Sequence, residues 1–473
     1  MEKVRKFATT IRTNWKKSVF FSGVAVYGGR WYAQKLSDDA YMTQVSREAA
    51  SYGAGVVQKD APLYRVTVIL NPVASGGKAR KMYEKHCAPL LNLAGMKVSV
   101  MRTESEGQAK DIMEIMADAD AVLVAGGDGT LMETVTGLLR RQDASQAARI
   151  PIGVLPVGRT NSLAHTLFGR DVDSVRLMAE ATMSVVRQLK KPLGVIEVEN
   201  RSEDAEVRGK KLYCVNRLEV GAWKDARLRA DRYWLFGFGL KNYVTYLGSF
   251  TSGHKEVLWD CDLNLQYVDN TGDASISSVE DSTVIQHSEQ KKSGWMPWLF
   301  GGRGGRQSPQ PQAEATKVSS SWTDLGQFNG PQITIENKTD TLEAVLYRGA
   351  LDLFSFMRHG WSLWDRKYWA QQAVAGEGDV PYTSLTSPQL LLTPNTGDTE
   401  AGPGVEKRLC MDGDDVPLNG PVMVTHLKDK IIVFCDKTEA VTESQPSADT
   451  PSRTSLGRWT GGVKSSFMRN KSI

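Results

Sequence analysis

The run Val122-Leu123-Val124-Ala125-Gly126-Gly127-Asp128-Gly129-Thr130 constrains this chain more than any other segment. An apolar strand ends in three glycines around one aspartate, and a helical pattern follows. Glycine lets the backbone take positive φ and lets a ligand approach closely. A helix start offers open N–H groups and a positive dipole end to an anion. Thr130 and Glu133 have capping-box spacing, which predicts the helix start there. The phosphates of a nucleotide fit this arrangement, with Asp128 beside them. An ordinary strand–helix turn is the simpler alternative for this segment taken alone.

Two further segments repeat the pattern. An apolar strand over 64–70 runs into Asn71-Pro72-Val73-Ala74-Ser75-Gly76-Gly77-Lys78, a polar, glycine-rich turn entering a helix. It is not a Walker A loop, because Lys78 is followed by Ala79 where Ser or Thr is required. A strand over 150–156 ends in Val157-Gly158-Arg159-Thr160-Asn161 before another helix. Three such turns would line one edge of a parallel sheet, where open α/β sheets bind ligands.

The Asn-Pro-x-x-Ser-Gly-Gly-Lys, Gly-Gly-Asp-Gly-Thr and Pro-x-Gly-x-x-Asn turns together resemble the diacylglycerol kinase catalytic domain, which sphingosine and ceramide kinases share. The runs Thr160–Phe168 and Asn216–Lys224 carry the resemblance further, and it covers roughly 1–260 and 335–435. The expected fold class is a doubly wound parallel α/β lobe, of the kind seen in diacylglycerol and NAD kinases, plus a mainly antiparallel β-sandwich lobe. The resemblance implies ATP as phosphoryl donor and Mg²⁺. It implies ATP contacts from Asn71, Ser75, Gly76, Gly77, Lys78, Thr103, Gly126, Gly127, Gly129, Thr130, Gly158, Thr160 and Asn161. For Lys78 a solvated first-turn lysine is an equal alternative, and Arg159 stands where many relatives carry a small residue.

The expected chemistry is phosphoryl transfer to a lipid hydroxyl, which asks for positioning and electrostatics more than covalent work. General-base help at the acceptor proton is worth about two to four decades. Asp128 and Asp414 compete for that role. Asp414 lies in Cys410-Met411-Asp412-Gly413-Asp414-Asp415, which aligns with the family's Asp-Gly-Glu element but carries Asp in place of Glu. Asp128 is read as the base or acceptor-orienting group, with Asp412 and Asp414 serving Mg²⁺ through water or Asp414 acting as second carboxylate. A plain hairpin turn is the alternative at Asp412–Asp414, since Asp-Gly is a common turn dipeptide.

An acyl chain of ~15 methylenes holds a lipid in a bilayer with roughly 12 kcal/mol, so an apolar pocket or docking on the membrane is required. Trp361, Trp364, Tyr368 and Trp369 share one helical face, read first as core and second as lipid entrance. The resemblance implies monoacylglycerol, diacylglycerol and ceramide as acceptors, with lysophosphatidic and phosphatidic acid as products. Two alternatives remain. One is a soluble kinase of another small molecule, since NAD kinases share the Gly-Gly-Asp-Gly turn. The other is a membrane-bound structural subunit of a mitochondrial inner-membrane protein import complex, with kinase activity secondary.

Residues 1–57 read as a targeting or membrane-anchor segment. Lys3, Arg5, Lys6, Arg12, Lys16 and Lys17 face a single acid before Asp38, and 18–29 is uncharged and mostly apolar. That run is short of the about 20 residues of a spanning helix. Basic and aromatic residues together suit a membrane interface; a cleaved presequence or a helix packed on the domain are the alternatives. The resemblance implies the mitochondrial inner membrane on its intermembrane-space side. Further along, 58–192 is expected to be the nucleotide-binding lobe and 193–436 the β-rich lipid-substrate lobe. Within the latter, a disordered insertion is expected at about 270–325, and 376–406 reads as a loop. Residues 437–473 read as a disordered tail.

The net charge of +4 over 473 residues gives no footing for nucleic acid. The five scattered cysteines, Cys87, Cys214, Cys261, Cys410 and Cys435, read as buried thiols without a disulfide or zinc framework.

Overall fold

The computed structural model describes residues 15–59, 63–116, 119–169, 174–202, 208–233, 240–252, 261, 263–269, 277–278, 321–348, 353–364, 382–395 and 407–438. All of them lie in one unit, Met1–Ala440.

The first element is a single long helix, α1 (Trp15–Lys59). β1 (Arg65–Leu70) follows, then a helical run that ends in α2 (Ala88–Leu93) after a π-helical stretch at Tyr83–Cys87. The alternation continues with β2 (Lys97–Arg102), α3 (Gln108–Ile115), β3 (Ala121–Gly126), α4 (Asp128–Arg140), β4 (Ile152–Pro156), α5 (Ser162–Phe168) and α6 (Ser174–Val186). β2, β1, β3 and β4 pair in that order, all parallel. β3 and β4 are buried throughout, as strands covered on both faces must be. Successive residues of β3 split between two cores: Val122 and Val124 pack with Val135 and Leu138 of α4, whereas Leu123 and Ala125 pack with Tyr83 and Leu91 on the other face. This is the expected doubly wound lobe. The strand order reverses between β1 and β3, so their carboxyl ends part and open a cleft.

The sheet does not end at β4. After β5 (Lys190–Asn200), β6 (Lys211–Cys214), β7 (Arg217–Gly221), α7 (Ala222–Leu228), α8 (Leu240–Ser252) and β8 (Leu263–Asp269), the chain adds β9 (Ser277–Ser278), β10 (Ser321–Phe328), β11 (Gln332–Asn337), β12 (Leu342–Tyr347), α9 (Leu353–Trp364), β13 (Tyr382–Ser387), β14 (Gln389–Pro394), β15 (Arg408–Met411), β16 (Asp414–Pro417) and β17 (Val422–Phe434). β17 pairs parallel to β4 at Val433 and antiparallel to β5 and β14, so β14, β8 and β10 extend the first sheet. A second sheet runs β16-β15-β7-β11-β12-β13-β9. Leu265, Leu390 and Val424 of the first sheet share a core with Leu218, Ile333, Leu346 and Leu409 of the second, which is the expected antiparallel sandwich.

Several local expectations change. The stretch 376–406, read as a loop, holds β13 and β14; its Pro, Gly and Thr content hid alternating burial along both strands. Of 270–325, the described parts are strand β9 and the start of β10, while Trp295, Trp298, Phe300 and the glycine-arginine run lie outside the described residues. So do 1–14, Tyr368, Trp369 and 439–473. The five cysteines are buried free thiols, as expected.

The helix α1 combines two environments. Its second half is built into the lobe: Val45 and Ala49 pack with Leu90, Ala179 and Met183. Arg187 at the end of α6 clamps both oxygens of Glu48 at 2.8 and 2.9 Å and also reaches Glu180. Its first half exposes Phe20, Val26, Tyr27, Trp31 and Tyr32. No helix among the described residues is long and apolar enough to cross a membrane.

The helix α9 carries Trp361 and Trp364, whose side chains lie outside the described ones; among its described side chains Phe356 and His359 are buried. Phe356 stacks on Trp223, whose Nε1 donates to the Phe356 carbonyl at 3.0 Å. His359 lies against Trp223 and Tyr347, and burial pushes its pKa down to about 4. On acidification the unfolded chain takes up this proton near its ordinary value of 6.5, and the folded chain only near 4. Stability therefore falls across that window, by on the order of 2 kcal/mol from this residue. His359→Phe is expected to flatten that limb of an acid-unfolding curve followed by circular dichroism.

Candidate active site

Three strand-to-helix turns meet at the carboxyl ends of β1, β3 and β4. The first is held to the second by Asn71, whose N–H donates to the Ala125 carbonyl at 3.0 Å and whose Nδ2 donates to Thr130 Oγ1 at 3.1 Å. Ser75, Gly76 and Gly77 are consecutive left-handed residues with φ of 55°, 66° and 80°, and a Cβ on either glycine would meet open space. Lys78 follows and is exposed. Thr103, at the end of β2, is buried and donates its N–H to the Leu70 carbonyl.

The second and third turns touch backbone to backbone. A Cβ on Gly158 would overlap the N and Cα of Gly127, and one on Gly127 would lie 3.0 Å from the Thr160 carbonyl. The Asp128 N–H donates to that carbonyl at 3.1 Å. Asn161 closes its own turn by accepting from the Gly158 N–H and donating to its carbonyl. The helix α4 begins at Asp128, three residues before the start at 131 that a Thr130 cap predicts. The capping box does not form, because Glu133 accepts instead from the Gly107 N–H at 2.9 Å and ties α4 to the loop after β2. Thr130 lies within the first turn, where its hydroxyl receives Asn71.

Asp128 is 4% exposed. Its Oδ2 accepts from the Ser162 N–H at 2.9 Å, and Oδ1 has no hydrogen-bond partner among the described residues. Burial raises its pKa, opposed by Ser162 and by the charge of Arg217.

The acids of the late hairpin reach this point from the second sheet. The Asp414 carboxylate lies against Gly129, so that a Cβ there would be 2.5 Å from Oδ1. Burial and the neighbouring charges of Glu133, Asp412, Glu106 and Asp128 push its pKa up to about 6. No cation among the described residues pairs with it. Asp412 is equally raised, to about 6, by burial and by Asp128. Its carboxylate, however, already accepts three backbone N–H groups, from Val215, Asn216 and Arg217. Asp415, the next residue along β16, points to the other side of the strand and pairs with Arg408 and with Lys224, a lysine only 2% exposed. The structure thus brings together every sequence-predicted acid and turn, and it separates Asp412 from Asp414 in kind.

Sequence reasoning assigned no role to Arg217, Glu219, Arg227 and Lys224. Arg227 pairs with fully buried Glu219, which Arg217 also approaches at 3.9 Å. The alternation Arg217-Leu218-Glu219-Val220 was the available signal: a strand whose polar face carries charge is facing either water or a charged site.

Two outcomes follow from this packing. Gly158→Ala forces the second and third turns apart and is expected to cost about 1–3 kcal/mol of stability, with loss of nucleotide affinity measured by calorimetry. Asp414→Asn acts in the opposite sense on stability. A carboxyl whose folded pKa exceeds its ordinary 3.8 destabilises the fold as pH rises through the interval up to about 6. In magnesium-free buffer the variant is therefore expected to melt higher than the parent near pH 7, by on the order of 1 kcal/mol, with little difference near pH 4.

Residues 65–198 match the family described as diacylglycerol kinase catalytic domain. The mitochondrial acylglycerol kinases of Mus musculus and Homo sapiens are each 38% identical over 231 residues, 49% of this chain and 53% of theirs. Sphingosine kinase 1 of Homo sapiens is 31% identical over 175 residues, 36% of this chain and 44% of its own. The chain spans about half the length of the curated relatives it matches. Among solved structures, a putative diacylglycerol kinase from Bacillus anthracis str. Sterne superposes with a TM-score of 0.46 at 14% identity, covering 80% of this chain and 99% of that one. Yeast NADH kinase complexed with NADH gives 0.36 at 8% identity, covering 80% and 85%. The segment 65–198 is similar to diacylglycerol kinase catalytic domains, in a chain similar to the mitochondrial acylglycerol kinases.

Proposed function

We propose that the chain is an ATP-dependent lipid kinase that phosphorylates the free hydroxyl of monoacylglycerol and diacylglycerol, with ceramide a further candidate, to give lysophosphatidic and phosphatidic acid. The observation that carries this reading is the meeting of three glycine-bearing turns around buried Asp128, with the Asp414 carboxylate at the start of α4. Backbone N–H groups at Ser75 and Gly76 and in the first turn of α4 are suited to the donor phosphates, whereas that of Gly77 donates to the Val73 carbonyl. Lys78 lies beside the first of these turns.

The Asp414 carboxylate, with no paired cation among the described residues, and the orphaned Oδ1 of Asp128 are the two acceptors that would suit a divalent ion. Asp414 is the side chain we assign to hold Mg²⁺, directly or through water. Mg²⁺ neutralises charge on the phosphate oxygens when bound. Asp128 orients the acceptor hydroxyl and takes its proton. The Ser162 N–H holds the orientation of its carboxylate, and burial favours proton uptake. Thr160, through its carbonyl, fixes the backbone of Asp128.

The exposed half of α1 supports action at a bilayer. Phe20, Tyr27, Trp31 and Tyr32 are accompanied by Lys16, Arg30 and Lys35, with no acid in the helix before Asp38. Aromatic and cationic side chains together favour the interface. Tyr243 and Leu247 of α8 and Phe354 of α9 are also exposed, above the aromatic core at Trp223. Similarity to relatives named mitochondrial supports a mitochondrial location, and the inner membrane on its intermembrane-space side is our proposal within it.

The test is transfer of labelled γ-phosphate from ATP to defined lipids in vesicles, with Mg²⁺, using the full chain and NAD as a soluble competitor acceptor. Label is expected in acylglycerol, reduced by about two to four decades in Asp128→Asn and strongly reduced in Asp414→Asn. Absence of both ATP affinity and lipid labelling in folded protein defeats the proposal, and label in NAD replaces it with the soluble-kinase reading.

A further inference from the structure

We infer that Asp412 is a positioning residue, clamping the link between β6 and β7 to the β15–β16 hairpin so that Asp414 is delivered to Gly129, and is not itself a ligand of the metal. The inference rests on the kinase reading of the site and goes beyond it by separating two acids that stand two residues apart.

The geometry is that of a filled acceptor. Oδ2 accepts the Val215 N–H at 2.7 Å and Oδ1 accepts the N–H groups of Asn216 and Arg217, each at 3.0 Å. The Asp412 N–H returns a bond to the Arg217 carbonyl at 3.1 Å. The same link is held from its other side by Asn337, whose Nδ2 donates to the Val215 carbonyl at 2.7 Å and whose N–H donates to the Asn216 carbonyl at 2.9 Å. Three consecutive residues thus have their donors on one side chain, and two of their carbonyls accept from Asn337, one from its side chain and one from its backbone. A carboxylate holding three N–H groups has little left to give a cation.

The backbone at the hairpin tip is strained in a way that needs such a clamp. Asp412 has φ of 48° and Gly413 φ of 100°. A non-glycine residue is kept in the left-handed region only where its surroundings over-determine it. The clamp does so, and the two left-handed residues reverse the chain so that Asp414 opens β16 facing Gly129. The two carboxylates then differ in use: that of Asp412 faces the link in the second sheet, and that of Asp414 faces the start of α4. The clamp also fixes the backbone of Arg217, whose charge reaches Asp128.

The experiment has two readouts on the full chain. The first is amide hydrogen exchange at Val215, Asn216 and Arg217 without Mg²⁺ or nucleotide. These amides are expected to be strongly protected in the parent and to lose protection in Asp412→Asn, which replaces one acceptor oxygen by a donor. Free exchange in the metal-free parent overturns the inference, whether or not a phosphoryl acceptor has been found. The second readout is activity against Mg²⁺ concentration. Asp412→Asn is expected to lower kcat by roughly 10²-fold, the scale of an ångström of misplacement, with the half-saturating Mg²⁺ concentration unchanged, whereas Asp414→Asn raises that concentration. An Asp412→Asn protein with protected amides and a raised Mg²⁺ requirement overturns the inference. If the parent transfers no phosphate at all, the kinase reading fails, and the exchange result still decides the clamp.

Discussion

The pairing of β17 with strands of both lobes holds the whole arrangement together. Its last residues lie parallel to β4 in the nucleotide-binding sheet, and its first residues lie antiparallel to β14 in the sandwich, with β5 along most of its length. One strand therefore belongs to both cores, and the hairpin that precedes it is brought to the edge where the three turns meet. A register shift of one residue would turn Val424 and Val433 out of their cores. The same shift would withdraw Asp414 from Gly129.

Glycine acts at this site by omission. Gly127 and Gly158 let two turns pack backbone on backbone, and Gly129 leaves the space that the Asp414 carboxylate fills. The result concentrates acids in a buried place where no cation among the described residues pairs with Asp414, which costs stability and raises its affinity for protons. Such sites are expected where a fold is adapted to a charged ligand more than to its own stability. The second sheet has the opposite character. There Lys224, Arg227 and Arg408 pair with Asp225, Glu219 and Asp415 in a partly buried network behind the hairpin.

Much of the first lobe was legible because its signals are local. Continuous apolar strands, glycine-bearing turns and the helices after them lie within a few residues of each other. The boundary of α4 was misread because Glu133 had a competing donor, the Gly107 N–H, that sequence spacing does not reveal. The second half of α1 was hidden for a related reason. Its contact with the lobe mixes Val45, Ala49, Met42 and Tyr41 with polar bonds from Ser37, Tyr41 and Glu48, a pattern too mixed to read as an apolar core face. β13 and β14 were missed because turn-forming residues outweighed an alternation that only pairing with β12 and β17 makes meaningful.

The sequence by itself determined which turns exist, because left-handed and close-approach positions admit almost only glycine, and the residues around them set strand and helix by local pattern. It determined the acids available to the site, but not their division of labour. Asp412, Asp414 and Asp415 are near neighbours of similar chemistry. The tertiary structure decided that one faces three backbone N–H groups, one the start of α4 and one a buried lysine. That outcome depends on strand alternation and on pairings between segments from opposite ends of the chain, which no local stretch of residues encodes.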